Sequence, residues 1–323
     1  MSDSKKILFV KLSSLGDIVH ALPTAVAIKR THPEWDLHWM VSEKFSQILE
    51  NHPSIDKLIV TPHRPNFKTL MSIKKQLRSE KYDIALDMQG LFKSARFVAL
   101  SGAKLKLGFH WQREGARFFS KPVKPKKTNI HVVEQYLAVA EELGCQPYPV
   151  DFQLHTNEQN LDKSKSLLSS HNIHQNAVAI NLGSGKKAKQ WAIKKFAILC
   201  NLLQKKGLTP FLIGSSSEKP LEDELNQFLP NPIPSLIGKT NLKELVAVLS
   251  LSDLHIAGDT GSLHIAVALN VPVIAIMGPT LPERSGPYAK PNNVIWKGVN
   301  NLQQIEPEEV INLVEQLQLT LFS

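Results

Sequence analysis

The run ILFVKLSSLGD, residues 7–17, decides the fold class of this chain. Its apolar, β-type half passes through small residues and Gly16 into a helical stretch, so we predict a strand at 7–12 and a helix at 18–31. Short apolar runs and longer helical stretches alternate in the same way along the rest of the sequence. That alternation is typical of α/β proteins with parallel sheets.

The other predicted elements fall into two consecutive halves. Further strands are predicted at 37–41, 58–60, 84–86 and 105–107, and then at 177–180, 211–213, 236–237, 254–257, 273–277 and 294–296. Further helices are predicted at 45–50, 70–78, 91–100, 132–143, 193–206, 221–228, 242–249, 264–269 and 307–321. Residues 146–156 carry two prolines and show no clear helical period. We therefore place one domain at 1–156, a second at 157–305 and a C-terminal helix at 306–323.

Composition indicates a folded, soluble protein. Of the 323 residues, 42% are hydrophobic and 21% are charged, which is usual for a globular protein. No run reaches the roughly eighteen apolar residues of a membrane-spanning helix, and the apolar stretch near the N-terminus is too short for a signal-peptide core. The two cysteines are too few for a disulfide framework. We therefore expect a cytoplasmic protein.

The net charge of +9 indicates an anionic partner, although a lysine-rich solvated surface explains it equally well. The charge is concentrated in residues 104–127, here called the basic segment, where Glu114 is the single acid and aromatic residues are interleaved. This mixture suits an anionic membrane surface or single-stranded nucleic acid, and composition alone does not separate the two. The basic residues are Lys104, Lys106, Arg113, Arg117, Lys121, Lys124, Lys126 and Lys127.

The turn after the first predicted strand is the first candidate site. In doubly wound folds, ligands gather at the carboxyl ends of strands, and the small residues Ser13, Ser14 and Gly16 allow backbone N–H groups to approach a ligand. Asp17 stands at the predicted helix start. It either caps the helix, a role worth about 1 kcal/mol, or acts on a substrate, and spacing alone favours capping.

The second candidate site is NLGSGKKAKQW, residues 181–191, directly after a predicted strand. Glycines, the Ser184 hydroxyl and three lysines before a helix suit an anion such as phosphate. The run is not a Walker loop, because Ile180 replaces the first glycine and Lys187 replaces the Ser or Thr. A flexible basic loop is the alternative interpretation.

The third candidate site is AGDTGSLH, residues 257–264, which also follows a predicted strand and begins a helix. A carboxylate, a hydroxyl and the N–H groups of a helix start together suit a sugar diphosphate. The alternative is again helix capping, with His264 as an ordinary helix-start histidine. A weaker fourth site is GSSSE, residues 214–218, where an acid could bond a ribose hydroxyl.

Metal and nucleophile chemistry are poorly supported by the sequence. It contains no Asp-x-Asp pair, and its histidines lack metal-ligand spacing. No serine or cysteine stands in a nucleophile motif. We therefore expect neither a metal nor another cofactor.

Several stretches, in this order and over nearly the whole chain, resemble glycosyltransferase family 9, the lipopolysaccharide heptosyltransferases. They are LSSLGDIVHALP at 12–23, YDIALDMQGLFKS at 82–94, LGF at 107–109, residues 183–196 with their Lys-x-Trp, and DTGSLHIAVAL at 259–269. The resemblance implies a GT-B fold. In that fold two Rossmann-like domains face each other across a cleft and a C-terminal helix crosses back to the first domain.

The resemblance also implies a reaction. Such enzymes move heptose from ADP-L-glycero-β-D-manno-heptose to Kdo of the lipid A inner core, with inversion and without metal, at the cytoplasmic face of the inner membrane. It implies Asp17 as general base and Lys189 as the lysine on the donor phosphate. The other implied donor residues are Ser184, Gly185, Glu218 as the ribose-binding acid, Thr240 on the adenine side, Asp259, Thr260, Gly261 and His264. The implied acceptor-side residues are Ser13, Ser14, Gly16, Lys124, Lys126 and Lys127, with an anionic membrane surface as partner and no nucleic acid.

Three alternatives remain open at this point. A family 9 transferase with another donor or acceptor, such as a second heptose transfer, fits the same motifs. A sugar-nucleotide epimerase on the same fold would release free sugar. A basic protein that binds membranes or nucleic acid would leave the three strand-end motifs unexplained.

Overall fold

The computed structural model describes residues 4–128, 130–146 and 148–321. The chain divides into two compact units, Met1–Gln153 and Leu154–Ser323. Every strand pair of both sheets is parallel, so the predicted α/β class is confirmed. The sequence-based boundary, after residue 156, lies slightly later than this division.

The first unit is built on six described strands. They are β1 (Lys6–Val10), β2 (Asp36–Ser42), β3 (Lys57–Thr61), β4 (Ile84–Asp87), β5 (Leu105–Phe109) and β6 (Lys121–Val123). The sheet order is β3-β2-β1-β4-β5-β6, so β1 lies between β2 and β4. The helices are α1 (Leu15–Thr31), α2 (Phe67–Ser79), α3 (Phe92–Ser101) and α4 (Val132–Glu142), with 3-10 turns at Glu43–Ile48 and Ala116–Phe118.

The second unit carries five described strands. They are β7 (Ala177–Asn181), β8 (Thr209–Ile213), β9 (Leu254–Ala257), β10 (Val273–Met277) and β11 (Val294–Trp296), in the order β11-β10-β9-β7-β8. The helices are α5 (Glu158–Ser170), α6 (Ile193–Lys205), α7 (Lys219–Asn226), α8 (Leu242–Ser250), α9 (Gly261–Ala268), α10 (Pro282–Ser285) and α11 (Pro307–Leu321). Short 3-10 turns lie at Lys187–Lys189, Ser216–Glu218, Pro291–Asn293 and Leu302–Gln304.

The central strands are buried on both faces, because helices cover a parallel sheet from both sides. All five residues of β7 and of β10 are buried. A strand in such a position reads as an unbroken apolar run rather than an alternating one. The predicted bounds of the buried strands β9 and β10 agree with the structure for this reason, and those of the half-buried edge strand β11 also agree.

The C-terminal helix packs within its own unit. α11 contacts α6 and β10, and Val310, Ile311 and Val314 are buried in the core of the second unit. An ion pair between Lys206 and Glu315 joins α11 to the end of α6. That this helix also reaches the first domain stays a prediction.

The structure differs from the prediction at four elements, one of which is the four-residue helix α10, which was not predicted. Residues 236–237 form no strand, because Leu236 and Ile237 fill the core while only Ser235 pairs, by a single bridge to β8. Polar α5 was missed since it buries little more than Ser164 and Leu168. The short strand β6 was missed because it contains Pro122, which a strand tolerates at a sheet edge.

Candidate functional site

Two groups of polar side chains lie at carboxyl ends of strands, one group in each unit. The first surrounds the turn between β1 and α1, and the second surrounds the turns after β7, β8 and β9. These are the edges where parallel sheets bind ligands.

Asp17 closes a capping box at the start of α1. Its Oδ2 accepts hydrogen bonds from the Ser14 backbone N–H, at 3.1 Å, and from Ser14 Oγ, at 2.7 Å. Gly16 is buried within this turn, and Ser14 is exposed. The helix therefore starts three residues earlier than predicted, with Ser14 as its N-cap, and Asp17 takes part in the cap from the third helical position. This capping box fixes the carboxylate at the end of β1.

The turn is held from the neighbouring strand β4. Gln89 Oε1 accepts from the backbone N–H groups of Leu12 and Ser13 at 2.9 and 3.2 Å. Ser13 Oγ in turn accepts from Gln89 Nε2 at 3.1 Å and from Lys93 Nζ at 2.8 Å. Because both lone pairs of the Ser13 hydroxyl are used, its O–H remains to donate to a bound molecule. Sequence reasoning assigned no role to Gln89 or Lys93.

Lys11 is a buried cation behind the same turn. Its side chain is 3% exposed, and its Nζ donates to Tyr136 Oη at 2.6 Å. Burial lowers the pKa of Lys11, against the attraction of the Asp17 and Asp87 carboxylates. A lysine inside the apolar run ILFVKL was the available sequence signal, since buried lysines are rare.

In the second unit, Lys189, Asp259 and His264 come together as predicted. Lys189 Nζ lies 2.6 Å from Asp259 Oδ2, and His264 Nε2 lies 3.4 Å from Oδ1. Burial alone would raise the pKa of Asp259, but hydrogen bonds and charges from His264 and Lys189 outweigh it and lower the pKa. Asp259 is therefore an anion at neutral pH, with Lys189 as its counter-ion.

The glycine loop after β7 lies beside this ion pair. A Cβ placed on Gly258 would lie 3.5 Å from the Lys189 backbone oxygen, so the turns after β7 and β9 meet. A Cβ on Gly185 would face open space, which leaves its exposed backbone accessible. Ser184 Oγ donates to the Lys186 backbone oxygen at 2.6 Å, so its proton is used within the loop.

Glu218 joins the ends of β7 and β8. Its carboxylate accepts from the Ser215 backbone N–H at 2.6 Å and from Asn181 Nδ2 at 3.2 Å. A Cβ on Gly183 would lie 1.6 Å from Glu218 Oε1, and one on Gly214 would lie 2.3 Å from Oε2. Two glycines are therefore needed to admit this carboxylate. Its contact with ribose stays a prediction.

Thr240 lies in the loop that leads to Asn241, the N-cap of α8. The loop is tied to the end of β8, because the Gly238 N–H donates to the Gly214 oxygen at 2.9 Å. Gly238 has φ of +72°, which favours glycine. The predicted adenine-side residue is thus near the predicted ribose acid in the fold, and its contact with adenine is untested.

A hydrogen-bonded chain that the sequence did not predict runs beneath the start of α9. Fully buried His255 has Nδ1 2.9 Å from the Ala179 oxygen and Nε2 3.1 Å from Ser262 Oγ. Ser262 Oγ lies 2.9 Å from Thr260 Oγ1, and Gly261 is the first residue of α9. Burial lowers the pKa of His255 to about 4, so the ring is neutral near neutral pH.

This buried histidine predicts a loss of stability in acid. Because the pKa of His255 is below its usual 6.5, the unfolded chain takes up the proton first as pH falls. The contribution of the neutral His255 ring to the stability of the fold is complete above pH 6.5 and is lost as pH falls towards 4. Between pH 6.5 and 4, the free energy of unfolding should fall by on the order of 2 kcal/mol more in wild type than in His255→Gln.

Urea unfolding at a series of pH values measures this difference. Exposed His174 provides the matched control, because His174→Gln should leave the pH dependence of wild type unchanged. Parallel curves for wild type and His255→Gln would contradict the prediction.

In the structure, acidic residues from elsewhere in the chain neutralise part of the charge of the basic segment. Lys126 pairs with Glu141 at 3.1 Å and Lys121 with Glu142 at 3.2 Å. Both acids belong to α4, outside the segment, so a local charge count overstates its free charge. Lys124, Lys126 and Lys127 are exposed.

Exposed aromatic rings accompany these cations. Phe118 is 77% exposed and Trp111 is 42% exposed. The guanidinium carbons of Arg117 and Arg113 each lie 5.3 Å from the centroid of one of these rings. Aromatic and cationic groups therefore share this surface of the first unit.

In the described part of the chain, no group of three or more His, Cys, Asp or Glu residues is placed to hold a metal ion. Among the described helices, none combines the length and apolar character needed to cross a membrane. Metal independence stays a prediction.

Comparison with known proteins gives a consistent result. Residues 70–314 match the sequence profile of glycosyltransferase family 9 (heptosyltransferase). Lipopolysaccharide heptosyltransferase 1 of Campylobacter coli is 30% identical over 97% of this chain and 98% of that protein.

The chain also resembles two solved structures, whose sequence identities of under 25% show the fold alone. A glycosyl transferase family 9 protein from Veillonella parvula has a TM-score of 0.87 and 22% identity, covering 98% of each chain. E. coli heptosyltransferase WaaC with ADP-2-deoxy-2-fluoro heptose has a TM-score of 0.74 and 24% identity, covering 96% of this chain and 99% of that chain.

Proposed function

This chain belongs to glycosyltransferase family 9, the heptosyltransferases, and we propose that it transfers heptose from ADP-heptose to Kdo of the lipid A inner core. The transfer inverts the anomeric carbon and uses no metal. The observation that carries this proposal is the Lys189–Asp259 ion pair beside a glycine loop at the carboxyl edge of the second sheet.

The second unit has the chemistry of a nucleotide-sugar donor site. Lys189 and the N–H groups at the start of α9 would hold the diphosphate and stabilise the charge that develops on the departing ADP. Glu218 and Thr240 near the end of β8 would contact the adenosine. The E. coli enzyme solved with an ADP-heptose analogue supports ADP-heptose as the donor.

The first unit has the chemistry of an acceptor site. A sugar hydroxyl is a weak nucleophile near neutral pH, so Asp17 would take its proton as it attacks. Lys93 beside Ser13 places a cation near the base, which suits the carboxylate of Kdo. The name of the 30% identical relative, lipopolysaccharide heptosyltransferase 1, supports an acceptor in the lipopolysaccharide core.

The basic segment is proposed to bind the lipid A phosphates or the anionic cytoplasmic face of the inner membrane. Exposed lysines would meet the headgroups, and the Phe118 and Trp111 rings would lie at the boundary. We favour a membrane over nucleic acid as the partner of this surface, because the proposed lipid A acceptor is itself anchored in a membrane. The protein would therefore associate with the membrane peripherally.

Neutralising three exposed lysines tests this association. Each lysine near an anionic surface contributes about 1 kcal/mol, so replacing Lys124, Lys126 and Lys127 by Ser should weaken binding to phosphatidylglycerol vesicles at least tenfold. Vesicle sedimentation at low and high salt measures it. Replacing three exposed lysines of the second unit, Lys163, Lys165 and Lys194, by Ser makes the same charge change and is the control. Equal loss in both variants would contradict a specific role for the basic segment.

The reaction itself is tested by incubating the protein with ADP-heptose and Kdo₂-lipid A. We expect ADP release and a product heavier by one heptosyl group, with unchanged rate in EDTA and an inverted anomeric signal by NMR. Free heptose without a glycosylated product would favour the epimerase. Product formed only from an acceptor that already carries heptose would favour the second heptose transfer.

A further inference from the structure

Three hydrogen bonds link Ala179, His255, Ser262 and Thr260 in series, and the donor of each can be deduced. The Ala179 carbonyl oxygen can only accept, so His255 Nδ1, 2.9 Å away, carries a proton. Because burial keeps the His255 ring neutral, its Nε2 carries a lone pair instead. Ser262 Oγ, 3.1 Å from Nε2, must therefore donate to it.

The same reasoning gives the direction in which the Thr260 hydroxyl donates its proton. A serine hydroxyl has one proton, and Ser262 gives it to His255. Ser262 Oγ can then only accept from Thr260 Oγ1 at 2.9 Å. The Thr260 proton is directed inward, so the side chain offers only lone pairs to a bound molecule. A phosphate oxygen carries no proton and cannot use them, whereas a sugar hydroxyl can.

The order of strands indicates which part of the donor Thr260 meets. β8, β7 and β9 are consecutive neighbours, about 4.8 Å apart. The end of β8 carries Glu218, the turn after β7 carries Lys189, and the turn after β9 carries Thr260. Lys189 Nζ reaches Asp259 in the turn after β9, so the diphosphate would lie between these two turns, and the transferred sugar would lie beyond it, at the end of β9 and away from the adenosine at β8. Thr260 is partly exposed there, while Ser262 is buried.

We propose that Thr260 Oγ1 accepts a hydrogen bond from a hydroxyl of the transferred sugar, and that His255 and Ser262 are positioning residues that hold it in this orientation. This inference rests on the proposed nucleotide-sugar donor. It gives the Thr260 side chain a role distinct from that of the backbone N–H groups around it, which suit the diphosphate. Thr260 would thus distinguish a complete donor from free ADP.

Titration calorimetry with ADP and with ADP-heptose tests this role in Thr260→Val and Ser262→Ala. Both variants should bind ADP within about twofold of wild type. Thr260→Val should bind ADP-heptose about five- to tenfold more weakly, the loss of one hydrogen bond, and Ser262→Ala, which keeps the Thr260 hydroxyl but releases its orientation, should show a smaller loss. The KM for ADP-heptose should rise by the same factor. Thr260→Ser keeps the hydroxyl and should recover most of the affinity that Thr260→Val loses.

A series of ADP-heptoses, each lacking one sugar hydroxyl, identifies the partner. One member should bind wild type and Thr260→Val equally well, because the bond is already absent from that ligand. If ADP affinity falls as much as ADP-heptose affinity, or no deoxy donor abolishes the difference, the inference is overturned. Should Ser262→Ala fail to fold, Thr260→Val at the less buried end carries the test. Wild type that binds neither ligand would overturn the proposed function itself.

Discussion

Replacing Asp17 by Asn is expected to lower kcat about a thousandfold while the Kd for ADP changes less than about twofold. A general base contributes on the order of 10² to 10⁴ in rate, and an amide cannot accept the proton. Asn retains a side-chain oxygen that can accept from the Ser14 N–H and Oγ. The start of α1 should therefore remain formed, and the melting temperature should change little.

Two further variants separate capping from catalysis. Ser14→Ala removes one hydrogen bond to Asp17 and should cost about 1 kcal/mol of stability with a much smaller loss of kcat. Glu244→Gln is the matched control, since Glu244 occupies the same position in the capping box of α8 and lies outside the proposed machinery. Steady-state kinetics and thermal melts measure both effects. Turnover retained in Asp17→Asn would exclude Asp17 as the base.

The sequence predicted the strands best where burial makes them continuous. β9 and β10 are buried throughout and are followed by glycines, so their bounds could be read directly. The half-buried edge strand β11 was delimited instead by the charged Lys297 that follows it. The same rule failed at Leu236 and Ile237, because apolar side chains can fill a core without pairing as a strand. Periodicity also missed α5, whose exposed polar face outweighs its few buried residues.

The candidate site was predictable only in part for a related reason. Asp17, Lys189 and Asp259 stand next to strand ends in the sequence, so their place at a sheet edge follows from topology. Gln89 and His255 act on residues 76 positions away, Ser13 and Ala179 respectively, and no local pattern indicates such contacts. The pairing of Lys126 with Glu141 was hidden in the same way. Long-range hydrogen bonds thus complete a site whose chemistry the strand-end motifs only outline.

Replacing Lys189 by Met is expected to weaken ADP binding a hundredfold or more. Lys189 is the counter-ion of Asp259, whose side chain is only 12% exposed. Removing it withdraws a cation from the diphosphate and also leaves the largely buried Asp259 carboxylate with the longer, 3.4 Å contact to His264 Nε2 in place of the lysine. Losing one partner of such a buried pair costs several kcal/mol. The variant should therefore lose stability as well as affinity.

The double variant Lys189→Met with Asp259→Asn separates these two effects. Neutralising Asp259 removes its repulsion of the diphosphate. ADP should therefore bind most tightly to wild type, less tightly to the double variant and most weakly to Lys189→Met. Thermal stability should recover in the double variant. Lys187→Met is the control, because Lys187 is exposed in the same 3-10 turn and should change affinity only slightly. Unchanged ADP affinity in Lys189→Met would remove this lysine from the donor site. A double variant no better than the single one would show that Asp259 exerts no repulsion on the donor, so that Lys189 acts by its own charge alone.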